Sequence, residues 1–351
     1  MDYSRTVSIA VTLAAVLAAH GPSAMAQDYK GKTLNMIVAS NAGGGTDRIG
    51  RLFGLYLEKH LPGNPKIVYR NFGAGGGKIR AANYFALQAK NDGYTLMQTD
   101  SSVAQPHIVR RKVSKFDPTK FEPIGGFNAG GSVVFIRKGH LKRLTGKGDP
   151  VIVGATSGSR SWQAMLVWGK EYLGWNLKWI PGYKGTRSMM KALRQGEIDV
   201  MATASSKRVD GLLKDGVIEI VAQEGIGFGG DYKARAAYPD APVFPAMLEK
   251  AKLSKLAWEG YNSWIGASQV DKWLTLPAGT PKAHVAAYRK AFDSVVADKA
   301  FIKLLHKSFS KDAVIINGAR VAELVAAIQS VSDEAIAHAG ALRKKFELSS
   351  R

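Results

Sequence analysis

The chain has no cysteine, which excludes a disulfide framework, a thiol nucleophile and any thiolate metal site. Beyond residue 26 it has no apolar run approaching the ~20 residues a bilayer span needs. Acidic residues are scarce, 28 against 49 lysines and arginines, for a net charge of +21. The seven histidines (His20, His60, His107, His140, His284, His306, His338) show no ligand spacing such as H-E-x-x-H, so no metal site is expected. Asp47, Asp92, Asp199 and Asp240 lie far apart, and no acid–base pair can be read from them. Phosphate-cofactor signatures are missing too. No Gly-Lys-Ser/Thr ending follows the glycine-rich turns, and Gly43, Gly45 and Gly50 are misspaced for G-x-G-x-x-G. The stretch from Gly154 to Ser159 does not fit the G-x-S-x-G nucleophile elbow. The expectation is a non-enzyme that uses no cofactor.

What is present begins at the N-terminus. Residues 1–26 carry Arg5, an apolar run over 7–19, and Ala24-Met25-Ala26 with small residues where a signal peptidase reads. This is the pattern of a secretory signal peptide cut before Gln27, and it predicts a soluble, periplasmic protein. With no cysteine after the run there is no site for a lipid anchor. The remaining length suggests two domains, and 46% hydrophobic residues can build their cores. The positive charge favours anionic partners; export sets nucleic acid aside. The excess is uneven. Residues 101–148 hold ten lysines and arginines against Asp117 and Glu122, either a solvated basic face or a means of steering anions or docking to a membrane partner.

The hydrophobic pattern reads as a repeated unit of strand, glycine turn and helix. Residues 34–39 form a strand, 40–46 a glycine turn, and Ile49, Leu52, Phe53, Tyr56 and Leu57 mark one helix face. The unit recurs with a strand at 67–70, a glycine turn at 71–77, a helix at 78–90 and a strand at 94–98. A second series follows: strands at 151–155, 177–180, 198–203 and 218–222, with helices at 161–173, 187–194 and 207–214 between them. Such alternation predicts mostly parallel sheets with crossover helices, and two series separated by the basic stretch 116–150 predict two α/β lobes. Later, Thr280 is placed to cap a helix starting at Pro281, and one last long helix is expected over 319–346.

Three turns lead from the first series of strands to one sheet edge. Asn41, Gly43, Gly44, Thr46 and Asp47 lie in the first, Gly73, Ala74 and Gly75 in the second, and Ser101 and Ser102 follow the third strand. Glycines let backbone amides approach a ligand, and the first amides of a helix are unpaired at the positive end of its dipole. Two such turns from neighbouring parallel strands suit a carboxylate at the carboxyl edge of the sheet. In the second series Ser157, Gly158 and Ser159, Tyr183, and Thr203 with Ser205 occupy equivalent turns. These sixteen residues are the candidate ligand-binding set. Trp162, Trp168, Trp175 and Trp179 read as second-lobe core, one of them able to wall a cleft.

Seven stretches in order resemble the periplasmic substrate-binding proteins of tripartite tricarboxylate transporters, the TctC or Bug family. They are A-G-G-G-T-D at 42–47, N-x-x-G-A-G-G at 71–77, D-G-Y-T-L at 92–96, S-G-S at 157–159, G-Y-K-G at 182–185, P-D-A-P at 239–242 and P-A-G-T-P at 277–281. Together they span essentially the whole mature chain. The resemblance implies a two-lobed, type II periplasmic-binding-protein fold, each lobe a mostly parallel sheet flanked by helices, joined by two crossing strands. Its division would be 27–132 with 259–351 as lobe 1 and 133–258 as lobe 2. The implied function is monomeric capture of a small organic acid and delivery to a membrane transporter. The alternatives are a receptor of the same fold signalling to a sensor kinase, a secreted α/β enzyme, and a basic scaffold for an anionic polymer. Two departures affect the pocket wall: Ala39-Ser40-Asn41 replaces a usual Pro-Phe pair, and Phe72-Gly73 replaces Arg/Gln-Pro.

Overall fold

The computed structural model describes residues 28–73, 76–155, 160–227 and 232–348. The leader expected over 1–26 lies outside them, and among the described residues no helix is long and apolar enough to cross a membrane. The chain runs β1 (Thr33–Val38), α1 (Gly45–His60), β2 (Lys66–Asn71), α2 (Gly77–Leu87), β3 (Thr95–Asp100), α3 (Pro106–Val109) and β4 (Glu122–Asn128). It then enters a second sheet with β5 (Val133–Arg137), β6 (Val151–Gly154), α4 (Gln163–Tyr172), β7 (Leu177–Ile180), α5 (Thr186–Gln195), β8 (Val200–Thr203), α6 (Ser206–Lys214) and β9 (Ile218–Gln223). Next come α7 (Phe244–Lys250), α8 (Lys255–Ile265), β10 (Lys272–Leu276), α9 (Lys282–Ala297), α10 (Lys299–Ser308), β11 (Val314–Asn317), α11 (Gly318–Gln329) and α12 (Asp333–Lys345).

The two sheets share one grammar. The first is ordered β11-β4-β10-β3-β1-β2 and the second β7-β6-β8-β5-β9. In each, a first strand lies between its two parallel successors, β1 between β2 and β3, and β6 between β7 and β8. In each, the next strand inward is antiparallel and is the one that arrives from the other lobe: β10 beside β3, and β5 beside β8. Both sheets are therefore mixed, with parallel cores. The two lobes are those of a type II periplasmic-binding-protein fold.

Alternation along the strands explains the layering. In β1, Leu34, Met36 and Val38 pack with α1 and α9, whereas Ile37 faces the cluster of α2 and α11. In β6, Val151 and Val153 join α4 and α8 while Ile152 faces α5. Trp162, Trp168 and Trp175 are buried in that second-lobe core, with Trp179 packed against it.

Two expected helix boundaries are corrected. The single helix over 319–346 is two, because α11 ends at Gln329 and the Ser332 side chain accepts from the Ala335 amide to start α12. Arg110 holds the break open, donating to the freed carbonyls of Gln329 (3.0 Å) and Val331 (2.8 Å) and pairing with Asp333. Thr280 does not cap the following helix. Its hydroxyl donates to Pro277 O at 2.8 Å, and Pro281 takes the cap position before Lys282. The expected division also placed all of 259–351 with the first lobe, but α12 packs on α8 and α4, and Ala339, Leu342 and Leu348 bury in the second lobe's core.

The chain passes between lobes at residues 129–132 and returns through the 3-10 turn Gly266–Val270. Asn128 ties these passages, accepting from the amides of Gly130 and Gly131 and donating to Gln269. Arg235, with no exposed surface, binds both lobes at once. It donates to Gly131 O (2.6 Å) and Ala204 O (3.1 Å), to Ser310 Oγ, and in a two-pronged pair to Asp312 (2.6 and 3.1 Å). Ser205 Oγ adds a bond to Phe309 O at 2.8 Å, and Ser206 Oγ accepts from the Lys311 amide at 2.9 Å. Breaking a buried pair leaves a charge uncompensated. Arg235→Ala is therefore expected to lose about 3–5 kcal/mol in urea unfolding, with part restored by adding Asp312→Ala; a loss below about 1 kcal/mol would show that the pair is not holding the lobes.

Glu224 sits at the same junction, fully buried, accepting from the Ser132 amide (2.9 Å) and the Ser268 hydroxyl. Burial pushes its carboxyl up to about 7, against the opposing hydrogen bonds of Ser268 and Ser132. A raised folded value means that the native state holds the proton more tightly, so this stabilisation is complete below the ordinary value near 4.5 and is lost as pH rises through 7. Relative to Glu224→Gln, the wild-type protein should lose on the order of 3 kcal/mol between pH 4.5 and 8, read as diverging urea midpoints; parallel pH profiles would exclude a buried titrating carboxyl.

Candidate functional site

Strands β1, β7 and β8 end at turns that open α1, α5 and α6, and residues of these helices from both lobes line one cavity. On the first lobe, the turns after β1 and β2 are fastened side by side. Asp47, 2% exposed, accepts from the Gly43 amide (2.8 Å), from Asn71 Nδ2 (2.8 Å) and from Arg51 Nε (3.0 and 3.1 Å). Asn71 Nδ2 also reaches Ser40 O at 3.1 Å. Gly43 takes φ +71, a left-handed conformation that suits glycine. At Gly73 an added Cβ would come within 1.6 Å of Asn41 Oδ1, so a side chain there would displace Asn41. The expected pairing of the two loops is thus a physical contact.

This geometry divides the candidate residues. Gly43 and Gly44 spend their amides inside the turn, on Asp47 and on Asn41 O, so neither offers that donor to a ligand. Asp47 is a brace. Burial would raise its carboxyl, but the bonds from Arg51, Asn71 and Gly43 outweigh this and hold it below its ordinary range. The amides of Gly45, Thr46 and Asp47 open α1, and those of Gly77, Lys78 and Ile79 open α2, with no acceptor among the described residues. Thr46, buried, donates its hydroxyl to Asp100 at 3.1 Å.

Asp100 ends β3 and organises the third turn. It accepts from the Ser102 amide (3.0 Å) and from Lys78 Nζ (2.5 Å), and Lys78 also donates to Ser102 Oγ (2.9 Å). Burial pushes the Asp100 carboxyl up, yet Lys78, Lys272 and Arg160 together hold it well below the usual carboxylate range. Burial draws Lys78 down, with Asp100 opposing. Ser101, buried, gives its amide to Asp271 O. Arg160, from the second lobe, adds to the positive charge that Asp100 and Lys78 experience.

On the second lobe, Thr203 accepts from the Ser205 amide (3.3 Å), and Ser205 is committed to Phe309. The Tyr183 amide donates to Ala155 O (3.2 Å) and its ring packs on the cluster of α5. Ala74, Gly75, Ser157, Gly158 and Ser159 lie outside the described residues. His107 is half-buried, its ring edge-on to Trp264, and loss of solvent pushes it down to about 3. Among the described residues there is no group of three or more His, Asp or Glu placed to hold a metal ion. Sequence reasoning missed Lys78, Arg160 and Asp100; the signal available was their position, one or two residues beyond a strand end or turn.

The architecture is that of the two-lobed periplasmic solute-binding proteins. Among solved structures, the TctC solute-binding protein from Polaromonas is similar at 20% identity and TM-score 0.62, over 90% of this chain and 99% of that one. The periplasmic binding protein BugD is 23% identical with TM-score 0.60, over 92% and 100% of the two chains. MatC from Rhodopseudomonas palustris, with bound malate, is 20% identical with TM-score 0.60, over 87% and 99%. At these identities the likeness establishes the fold. No protein-family model matches the chain, and neither does any curated protein.

Asp47→Ala removes the brace while leaving the turn's glycines in place. Hydrogen exchange at the Gly43 amide should quicken at least roughly tenfold, with a stability loss of about 2–3 kcal/mol, as for hydrogen bonds to a buried charge. Unchanged exchange at Gly43 would mean that Asp47 does not hold the loop.

Proposed function

We propose that the protein captures a small carboxylate-bearing organic acid between its lobes and delivers it to a membrane transporter, as a periplasmic solute-binding protein of the TctC and Bug kind. The reading is carried by the paired helix openings of α1 and α2, six amides with no acceptor among the described residues, brought side by side by the Asp47–Asn71 bond and the closeness of Asn41 to Gly73. Backbone amides at a helix start present partial positive charge without a side chain that must be desolvated. Lys78 and Arg160 add full charge at the same edge. The malate found in MatC, a chain of the same fold, is of the proposed class.

In this proposal the ligand carboxylate lies on the amides of 45–47 and 77–79 beside Gly73 and Ser102, and the second-lobe turns at 157–159 and 203–205 close over it. The chemistry is recognition alone: a carboxylate exchanges hydration for oriented donors, and lobe closure excludes water. Export through the leader at 1–26 would place this capture in the periplasm, where a transporter's membrane subunits receive the closed form.

Calorimetry of the wild-type protein against acetate, succinate, malate and adipate should show saturable binding to at least one. Gly73→Ala, which drives Asn41 from its place, should weaken that binding at least about tenfold by misaligning the donors. Saturable binding of none of the acids, with only neutral sugars or metal ions bound, would defeat the proposal.

A further inference from the structure

The two most exposed large apolar side chains among the described residues lie together on the flank of the first lobe. They are Leu87, 66% exposed at the end of α2, and Val113, 60% exposed in the turn after α3. Asn83, one helical turn before Leu87, joins them. Its side-chain amide donates to Val113 O at 2.8 Å, and its Oδ1 accepts from the Lys115 amide at 2.6 Å. The turn itself is fixed: the Ser114 amide donates to Arg111 O (2.9 Å) and the Ser114 hydroxyl to Ile108 O (2.7 Å). Lys112 and Val113 therefore stand at the tip of a braced turn, held out into solvent.

The charge around this tip is of one sign. Lys90 follows α2, and Arg111, Lys112 and Lys115 flank Val113, all exposed and none in an ion pair among the described residues. Arg110, next to them, is spent on Asp333 and on the break between α11 and α12. The acids nearest in sequence are engaged too: Asp117 accepts from the Thr119 amide and hydroxyl, and Asp92 from the Tyr94 amide. Deeper in the same flank, burial and then repulsion from Arg111 draw the Arg343 guanidinium down to about 10. Exposed apolar surface and unpaired cations add little to the stability of the isolated chain, yet here four hydrogen bonds hold them in one place.

We infer that this turn and the end of α2 form a docking surface for a bilayer that carries anionic phospholipid headgroups. A protruding tip suits a lipid surface, which yields around it, better than a protein partner, which would need a matching recess. The apolar pair enters the boundary between headgroups and acyl chains, while the long lysine and arginine stems leave their charges among the phosphates. Each such cation adds attraction toward an anionic leaflet, and the net charge of +21 steers the whole chain to it. Docking by this flank holds the first lobe at the membrane surface. The inference goes beyond solute capture and does not depend on it, since neither the cradle nor any guest takes part.

The test is co-sedimentation of the mature chain, from Gln27, with vesicles of phosphatidylcholine alone or with roughly 30% phosphatidylglycerol. Wild-type protein should bind the anionic vesicles at least about tenfold more tightly than the neutral ones, with the difference shrinking as salt rises. Lys112→Gln with Lys115→Gln should lower binding to the anionic vesicles by about tenfold or more. Lys178→Gln with Lys214→Gln removes the same charge from exposed positions of the second lobe and should leave that binding nearly unchanged. Leu87→Ser with Val113→Ser should weaken it several-fold at low and high salt alike. Every substituted position is exposed, so none of these variants removes a core contact. The absence of cysteine allows a direct reading: an environment-sensitive dye on Val113→Cys should shift to the blue on anionic vesicles, and one on Lys178→Cys should not. No preference for anionic vesicles, equal losses in the two lysine pairs, or an unshifted dye at Val113 overturns the inference.

Discussion

Arg235 is the interaction on which the geometry of the cleft depends. Its guanidinium is entirely enclosed, and its partners belong to the passage between lobes, to the end of β8 and to the turn leading into β11. A lysine there would supply one point charge; the planar fork satisfies two carbonyls, a hydroxyl and a carboxylate in fixed directions. Asp312 answers it with both oxygens and also accepts from the Ala237 amide. Because those partners come from both lobes, one buried charge pair joins the lobes at their junction. Glu224 and Asn128 secure the same junction from the passage strands.

Once the lobes are set, the location of charge follows. The chain carries 49 cations to 28 acids, and the acids are spent mostly on structure: Asp47 braces the glycine turns, Asp199 anchors the start of β6, Asp312 holds Arg235, and Asp100 joins Thr46, Ser102 and Lys78. Each of these carboxylates neutralises cations in its own neighbourhood. The surplus therefore stays at the places no acid reaches, and the cavity among α1, α5 and α6 is one of them. Three of the ten cations of the basic stretch 101–148, Arg110, Arg137 and Arg143, are paired into the scaffold, and the described ion pairs leave the other seven to solvent.

The fold was largely legible because its unit is local. Strand, glycine turn and helix each leave a short-range mark, and 34–39 against the observed Thr33–Val38, or 67–70 against Lys66–Asn71, differ only at their ends. The side-by-side placement of the two glycine turns was legible too, since adjacent parallel strands bring their ends together. What escaped was set by contacts distant in sequence. Ser332-Asp333-Glu334 marks a new helix start locally, but the group that stabilises the break, Arg110, lies 219 residues from Gln329. α12 joins the second lobe through α8, a packing choice that an amphipathic pattern does not encode. Thr280 had the right residue type for a cap and lost the role to a nearer carbonyl.

The site shows the same division more sharply. Glycine and serine at the turns could be recognised as donors, but whether a donor is free depends on what else the fold brings to it. Gly43 and Ser205 look alike in sequence to Gly45 and Ser102, yet the first two are spent on Asp47 and Phe309. Cations reverse the case. Arg48, Arg187 and Arg208 each follow a candidate turn by a few residues, where a lone arginine reads as an exposed helix residue. Their convergence on one space whose lining holds no acid is visible only in the fold.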